Sequence, residues 1–108
     1  MKTSGFLKVK LSGKRKFKRL LGDHFKEKGL RAGLVRLGPG QEIGEHTTGK
    51  KEEALIILEG SALIHYGKAK KSKAAKGTFV FIPPGITHNV LNAGKQVLQY
   101  VYVTAYVA

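Results

Sequence analysis

Glycine sets the grain of this chain: fourteen glycines, spread along its length, separate short runs rich in Val, Ile, Leu, Phe and Tyr. Apolar runs of that length bounded by turn formers make many short strands. No segment longer than about ten residues keeps a clean 3.6-residue period, so long helices are excluded. Strands are predicted at 6–11, 17–21, 31–37, 54–58, 62–66, 79–82, 88–91 and 96–107. Segment 17–28 carries the weakest pattern and is compatible with a helical turn. Residues 68–73 read as a solvated hairpin loop turning at Gly67. The expected class is all-β, a sandwich or barrel, and 108 residues make it a single domain over 1–108.

Two of these segments bear on association. Residues 54–58 (Ala-Leu-Ile-Ile-Leu) are apolar on both faces of a strand, so one face fills the interior and the other needs a cover. In the last segment Tyr100, Tyr102, Thr104 and Tyr106 alternate with Val101, Val103 and Val107. A long apolar strand at the end of a chain, if it forms a sheet edge, invites pairing with another copy. A homodimer is therefore expected, the alternative being a monomer whose N-terminal strands provide the cover.

The charge is unevenly spread. The chain carries +13, and residues 1–36 alone hold twelve basic residues against two acidic ones. Lys68, Lys70, Lys71, Lys73 and Lys76 form a second acid-free cluster, whereas 42–59 holds five acids against Lys50 and Lys51. Basic surfaces attract anionic metabolites, lipids or nucleic acid. No nucleic-acid motif accompanies the charge, so nucleic acid is not expected as a partner, and a lysine-rich, cysteine-free composition suits a thermophile. Thiolate metal sites and disulfides are excluded by the absence of cysteine. With no apolar run near a membrane span or a signal peptide, a cytoplasmic protein without a membrane partner is expected.

Chemistry concentrates in two stretches. In 40–60, His46 and Thr48 of one extended segment point the same way, and Glu53 follows the turn Gly49-Lys50-Lys51. An antiparallel hairpin there sets Glu53 across from His46. In 77–92, Pro83-Pro84-Gly85 makes a rigid turn that aims His88, and Asn92 closes the next turn through its side chain. Imidazole with carboxylate suits Fe, Mn, Ni, Co or Zn. Glu52 is the neighbouring rival to Glu53, but alternation puts Leu55 and Ile57 on the face of Glu53. His24 lies in a basic loop and reads as a surface residue. His65 sits mid-strand and faces in or out. The tyrosine stripe reads as core packing.

These stretches resemble the paired motifs of the cupin superfamily. Gly40, His46, Glu53 and Gly60 fall at the spacing of the first motif, with Thr48 where a second histidine belongs. Gly77, Pro83, Gly85, His88 and Asn92 match the second motif at every position, with sixteen residues between the two motifs. The resemblance implies a cupin-type antiparallel β-barrel (a double-stranded β-helix, or jelly roll) with His46, Glu53 and His88 as ligands of one divalent metal ion. Thr48 leaves two outcomes open. Either two histidines and a carboxylate hold the metal with vacant positions for substrate, or the site is too weak to hold it; Gln41 or water is a further candidate for the gap. Function follows the same fork. One reading is a metal-dependent enzyme on a small organic, anionic or sugar-like molecule in the barrel; the other is a non-catalytic small-molecule or metal-binding module. No catalytic residue beyond the ligands is identifiable.

Overall fold

A computed structural model describes residues 6–22 and 29–107. Eight strands run in the order β1 (Phe17–Leu21), β2 (Arg31–Leu37), β3 (Lys51–Glu59), β4 (Ser61–Tyr66), β5 (Lys70–Ala75), β6 (Phe79–Ile82), β7 (His88–Leu91) and β8 (Leu98–Tyr106). All pairings are antiparallel. They build a five-stranded sheet, β1-β2-β8-β3-β6, and a three-stranded sheet, β5-β4-β7. This is the double-stranded β-helix expected from the resemblance.

Alternation decides what lies between the sheets. On β3, Leu55 and Ile57 point inward and are buried, whereas Ile56 points outward and is 39% exposed. The same period sends Ala62 and Ile64 of β4 inward to meet Leu37, Leu98, Tyr100, Ile82 and Val90. Each fully buried leucine or isoleucine contributes about 1.5–3 kcal/mol by leaving water. The chain passes from one sheet to the other at Gly60, whose φ is +74°. A Cβ there would lie 2.3 Å from the Val97 carbonyl oxygen, so only glycine allows this crossing. Asn92 fixes the next corner: its buried amide donates to the Leu37 and Gln96 carbonyls, and its Oδ1 accepts from the Gly94 amide.

Four expectations change. Residues 6–11 form no strand. Their alternation is right, but none of them pairs with a strand among the described residues. Conversely, Lys70–Ala75, read as loop, is a strand. Its lysines are exposed, its ladder with β4 is complete, and Ala74 alone supplies a buried inward side chain. A polar edge strand needs no apolar period. The hairpin turn is shorter than expected, with Gly67 at φ +57° and Ala69 at φ +58°. Finally, β8 is not an edge: it lies between β2 and β3, which is why Leu98 to Val101 are buried on both faces. Residues 23–28, including His24, lie outside the described residues.

The free edges of the sheets therefore differ. β7 is covered by the segment 42–46, through bridges Glu42↔Leu91 and His46↔His88 and the Ile43 amide donating to the Val90 carbonyl. β5 and β1 carry lysines and arginine along their lengths. β6 carries none.

Candidate metal centre

The geometry begins with a backbone pairing. His46 and His88 face each other across an antiparallel bridge, each amide donating to the other's carbonyl at 2.9 and 2.8 Å. Their rings lie side by side, centroids 4.3 Å apart. Glu53 comes from the opposite sheet, on β3, in register with Thr104 of β8 and Ile82 of β6. One ligand atom from each of the three lies within 4.8 Å of the others. The predicted trio thus converges, but not by the predicted hairpin. His46 pairs with His88, and Glu53 reaches the pair across the interior, because β3 is claimed on both sides by β6 and β8.

Main-chain carbonyls fix the tautomers of both imidazoles. His46 Nδ1 lies 2.8 Å from the Gly44 carbonyl oxygen, and His88 Nδ1 lies 2.9 Å from that of Ile86. A carbonyl only accepts, so Nδ1 carries the proton in each ring and the Nε2 lone pairs are left free. Yet His88 Nε2 sits 2.9 Å from Glu53 Oε1, with both groups buried. A lone pair facing a carboxylate needs a cation between them, either a proton or a metal ion. The proton's claim shows in the His88 pKa, which is raised above the usual value. Burial works against the charge there but is outweighed by the hydrogen bond to Glu53, the Ile86 carbonyl and the Glu53 charge. Two imidazole nitrogens and one carboxylate oxygen, pre-aimed and short of positive charge, fit a divalent transition metal.

The three groups open onto a cavity of about 320 Å³ whose walls include Phe17, Val35, Ile43, Tyr100, Tyr102 and Thr104. Among the described residues no lysine or arginine lines it, so their basic charge stays outside. Burial, with the charge of Glu53 and the neighbouring Tyr102 adding to it, pushes the Tyr100 phenol far up. Tyr102 is raised as well: burial and Glu53 outweigh the opposing pull of Arg19 and Arg31. Both phenols stay protonated around neutrality. Gly33 makes room for Tyr102, since a Cβ on it would lie 2.4 Å from that ring and 2.8 Å from Phe17.

The remaining candidates separate cleanly. Thr48 lines the cavity, but its hydroxyl donates to the Lys51 carbonyl at 2.7 Å. It holds the turn into β3 and leaves the second-histidine position without a nitrogen donor. Gln41 is exposed and accepts from the Gly38 amide, so it closes its own turn and does not fill the gap. Glu52 is on the outer face of β3, opposite to Glu53. His65, between the inward Ile64 and the exposed Tyr66, is half-buried on the outer face of its sheet. The tyrosine stripe splits: Tyr100 and Tyr102 wall the cavity, whereas Tyr106 is exposed under the Lys51 ammonium. Asn89 escaped the sequence reading. Its amide donates to Glu42 Oε1 and its Oδ1 accepts from the Gly44 amide, which steadies the residue whose carbonyl holds His46. Its position directly after a candidate ligand was the available signal.

A family model described as a cupin domain matches residues 33–104. No curated protein sequence matches. Among solved structures, an RmlC-like cupin family protein from Methanocaldococcus jannaschii superposes with TM-score 0.77 at 18% identity, covering 92% of this chain and 87% of that one. The cupin domain of Schizosaccharomyces pombe Cnp3 gives 0.75 at 22% identity; 84% of this chain is covered, and the chain spans 64% of that domain's length. A predicted oxalate decarboxylase from Thermotoga maritima gives 0.74 at 22% identity, covering 84% and 79%. At these identities the likeness speaks for the fold.

Proposed function

The chain belongs to the cupin superfamily, and from that premise we propose that it holds one divalent metal ion on His46, Glu53 and His88 and acts on a small organic molecule bound beside it. The observation that carries this reading is the His88 Nε2 lone pair aimed at the Glu53 carboxylate, an arrangement that calls for a cation. Fe, Mn, Ni, Co or Zn suits the donors, and any of them supplies a Lewis acid next to the cavity. The protein's own residues do the rest. The Gly44 and Ile86 carbonyls orient the imidazoles, and Thr48 leaves space for a substrate oxygen. Phe17, Val35, Ile43 and Val90 exclude water around the substrate body. The likeness to the predicted oxalate decarboxylase of Thermotoga maritima puts small carboxylic acids among the first ligands to try. The +13 surface favours their approach.

Elemental analysis of the purified, tag-free protein beside a His46→Ala variant tests the reading. Near-stoichiometric metal that is lost in the variant is expected; metal-free protein that stays so after reloading refutes it.

A second reading, a non-catalytic binding module, has one observation in its favour. Beyond the three ligands, the titratable groups lining the cavity are Tyr100 and Tyr102, both held protonated, so among the described residues no general base stands ready. Thr48→His separates the two. In an enzyme it changes metal preference and turnover together; in a binding module it changes affinity alone. Within the same proposal the protein is cytoplasmic and works as a homodimer. Exposed Ile56, Phe79 and Phe81 on one sheet face support the second point, and among the described residues no helix is long and apolar enough to cross a membrane.

A further inference from the structure

We propose that the outer face of the three-stranded sheet carries a second ligand site, behind the metal centre, that takes a small zwitterion of the α-amino acid class and clamps the segment bearing His46. The site itself is independent of the metal; only its effect on the centre rests on the function proposed above. A pocket of about 230 Å³ opens where the β4–β5 hairpin meets the segments before His46 and His88, and Glu45, His65, Tyr66, Lys70, Lys71 and Thr87 line it. Here the acid-free lysine cluster meets the acidic segment 42–59. At water's share of ~30 Å³ per molecule, the space suits a ligand of about eight non-hydrogen atoms.

The polar groups of this pocket are not engaged with one another. Among the described residues the side chains of Glu45, His65, Lys70, Lys71 and Thr87 make no hydrogen bond or ion pair. For hydrated lysines and a surface carboxylate that is ordinary. For His65 it is not: its Nε2 has neither a partner nor contact with solvent, and covered ring nitrogens normally have a partner. Its neighbours in the sheet do not supply one. Asn89, across one ladder, is committed through its amide to Glu42 and through its oxygen to Gly44. Lys71, across the other ladder, faces the ring without bonding it. A ligand seated beside the ring gives this nitrogen the partner it lacks. The charges select the kind of ligand. Two ammonium groups and one carboxylate around one space fit a molecule that carries both signs. A carboxylate bridges Lys70 and Lys71, an ammonium group meets Glu45, and the Thr87 hydroxyl and His65 serve the remaining lone pairs and protons. A bare anion leaves Glu45 opposed by like charge, and a bare cation leaves both lysines so.

Position gives the binding a consequence. Glu45 and Thr87 immediately precede His46 and His88, and successive side chains of an extended chain point to opposite faces, so the pocket lies behind the two imidazoles. Thr87 is already fixed to the hairpin, because its carbonyl accepts from the Gly67 amide. Segment 42–46 is held less firmly. It belongs to none of the eight strands and meets β7 through isolated bridges at Glu42 and His46. A ligand spanning Glu45 and the β5 lysines ties that segment to the hairpin and steadies His46 from behind. Ligand and metal then favour each other's binding, by the reciprocity of linked sites.

Proton–nitrogen correlation NMR of the chelator-treated chain tests the site. The common α-amino acids are titrated one at a time, beside acetate and methylammonium as probes of single charge. With at least one amino acid the amides of Glu45, His65, Lys70, Lys71 and Thr87 should shift saturably. The single-charge probes should bind at least about tenfold more weakly, the worth of one charge-assisted hydrogen bond. Glu45→Gln and Lys71→Gln, both at exposed positions, should each weaken binding by a similar factor while the rest of the spectrum stays native. The His46 amide, which donates to the His88 carbonyl, should exchange with solvent more slowly once the amino acid is bound. Three results overturn the zwitterion site: no saturable shift with any amino acid, shifts centred instead on Tyr100, Tyr102 and Thr104, or acetate binding that is as tight and indifferent to Glu45→Gln. Unchanged His46 exchange under saturating amino acid overturns the clamp. Every arm uses metal-free protein, so these outcomes are distinct from a failure of the metal centre.

Discussion

Replacing Glu53 by glutamine tests the charge logic of the centre in both of its states. In the metal-free protein, His88 Nε2 faces a carboxylate and is satisfied only when a proton sits between them. Because its folded pKa is raised, that protonated His88 stabilises the fold fully below the unfolded value of about 6.5. The contribution is lost as the pH rises through the folded value. The Glu53→Gln change removes the anion and offers an amide donor to the same lone pair. In chelator-treated protein at pH 9 the variant should therefore be the more stable by about 1 kcal/mol, the net worth of one hydrogen bond. For a domain of this size that is ~4–8 °C in melting temperature. At pH 5.5 the order should shrink or reverse, since the wild type then holds its charged pair. Metal inverts the comparison. A ligand at a hundred times its dissociation constant stabilises by about 2.7 kcal/mol, which is ~10–20 °C for the wild type. The variant, lacking the anionic donor, should show no more than a few degrees. Differential scanning calorimetry at two pH values, with chelator and with Zn²⁺ or Mn²⁺, reads all four states. Equal metal-induced shifts in the two proteins would remove Glu53 from the ligand set. A metal-free wild type that gains stability relative to the Glu53→Gln variant as the pH rises would overturn the account of His88.

Three further outcomes follow from the geometry. Asn89→Ala frees the Gly44 amide and Glu42, loosening the carbonyl that orients His46; calorimetric metal affinity should fall by about 10- to 100-fold with the fold intact. Gly33→Ala drives a methyl into the Tyr102 and Phe17 rings, which stack at 6.2 Å, and should cost about 1–3 kcal/mol in chemical denaturation. In a spectrophotometric titration the Tyr100 phenol should ionise only as the protein unfolds, and that of Tyr102 should ionise later than a free tyrosine.

The corners of this fold were the most legible part of the sequence. The Pro83-Pro84-Gly85 turn and the turn that Asn92 closes answer local demands of backbone geometry, which adjacent residues spell out, whereas Gly60 was legible only as a motif position because its demand comes from the distant Val97 carbonyl. The convergence of His46, Glu53 and His88 was legible through motif spacing, and the inward face of Glu53 through alternation with Leu55 and Ile57. What misled was pairing over distance. Glu53 follows His46 closely in sequence, which suggested a hairpin, yet strand register is settled by whole ladders. β3 spans nine residues between β6 and β8, and those ladders outweigh one short turn. The position of β8 failed for the same reason, because nothing in a strand's own sequence says which neighbours it will have. β5 was hidden because a lysine-rich edge strand depends on its partner's backbone rather than on an apolar period.

The two carbonyls that orient the imidazoles also bear on how such a centre drifts over evolutionary time. Neither Gly44 nor Ile86 contributes its side chain to the hydrogen bond, so what is inherited is a backbone path rather than a residue. At position 86 the backbone needs no positive φ, so other apolar residues that fill the place of Ile86 against the core can follow that path. At position 44 the path runs through φ +105°, where a Cβ is strained even with open space around it. Mutational tolerance should therefore be lopsided: several apolar residues beneath His88 but little beyond glycine beneath His46, although His88 is the buried ligand and His46 the exposed one.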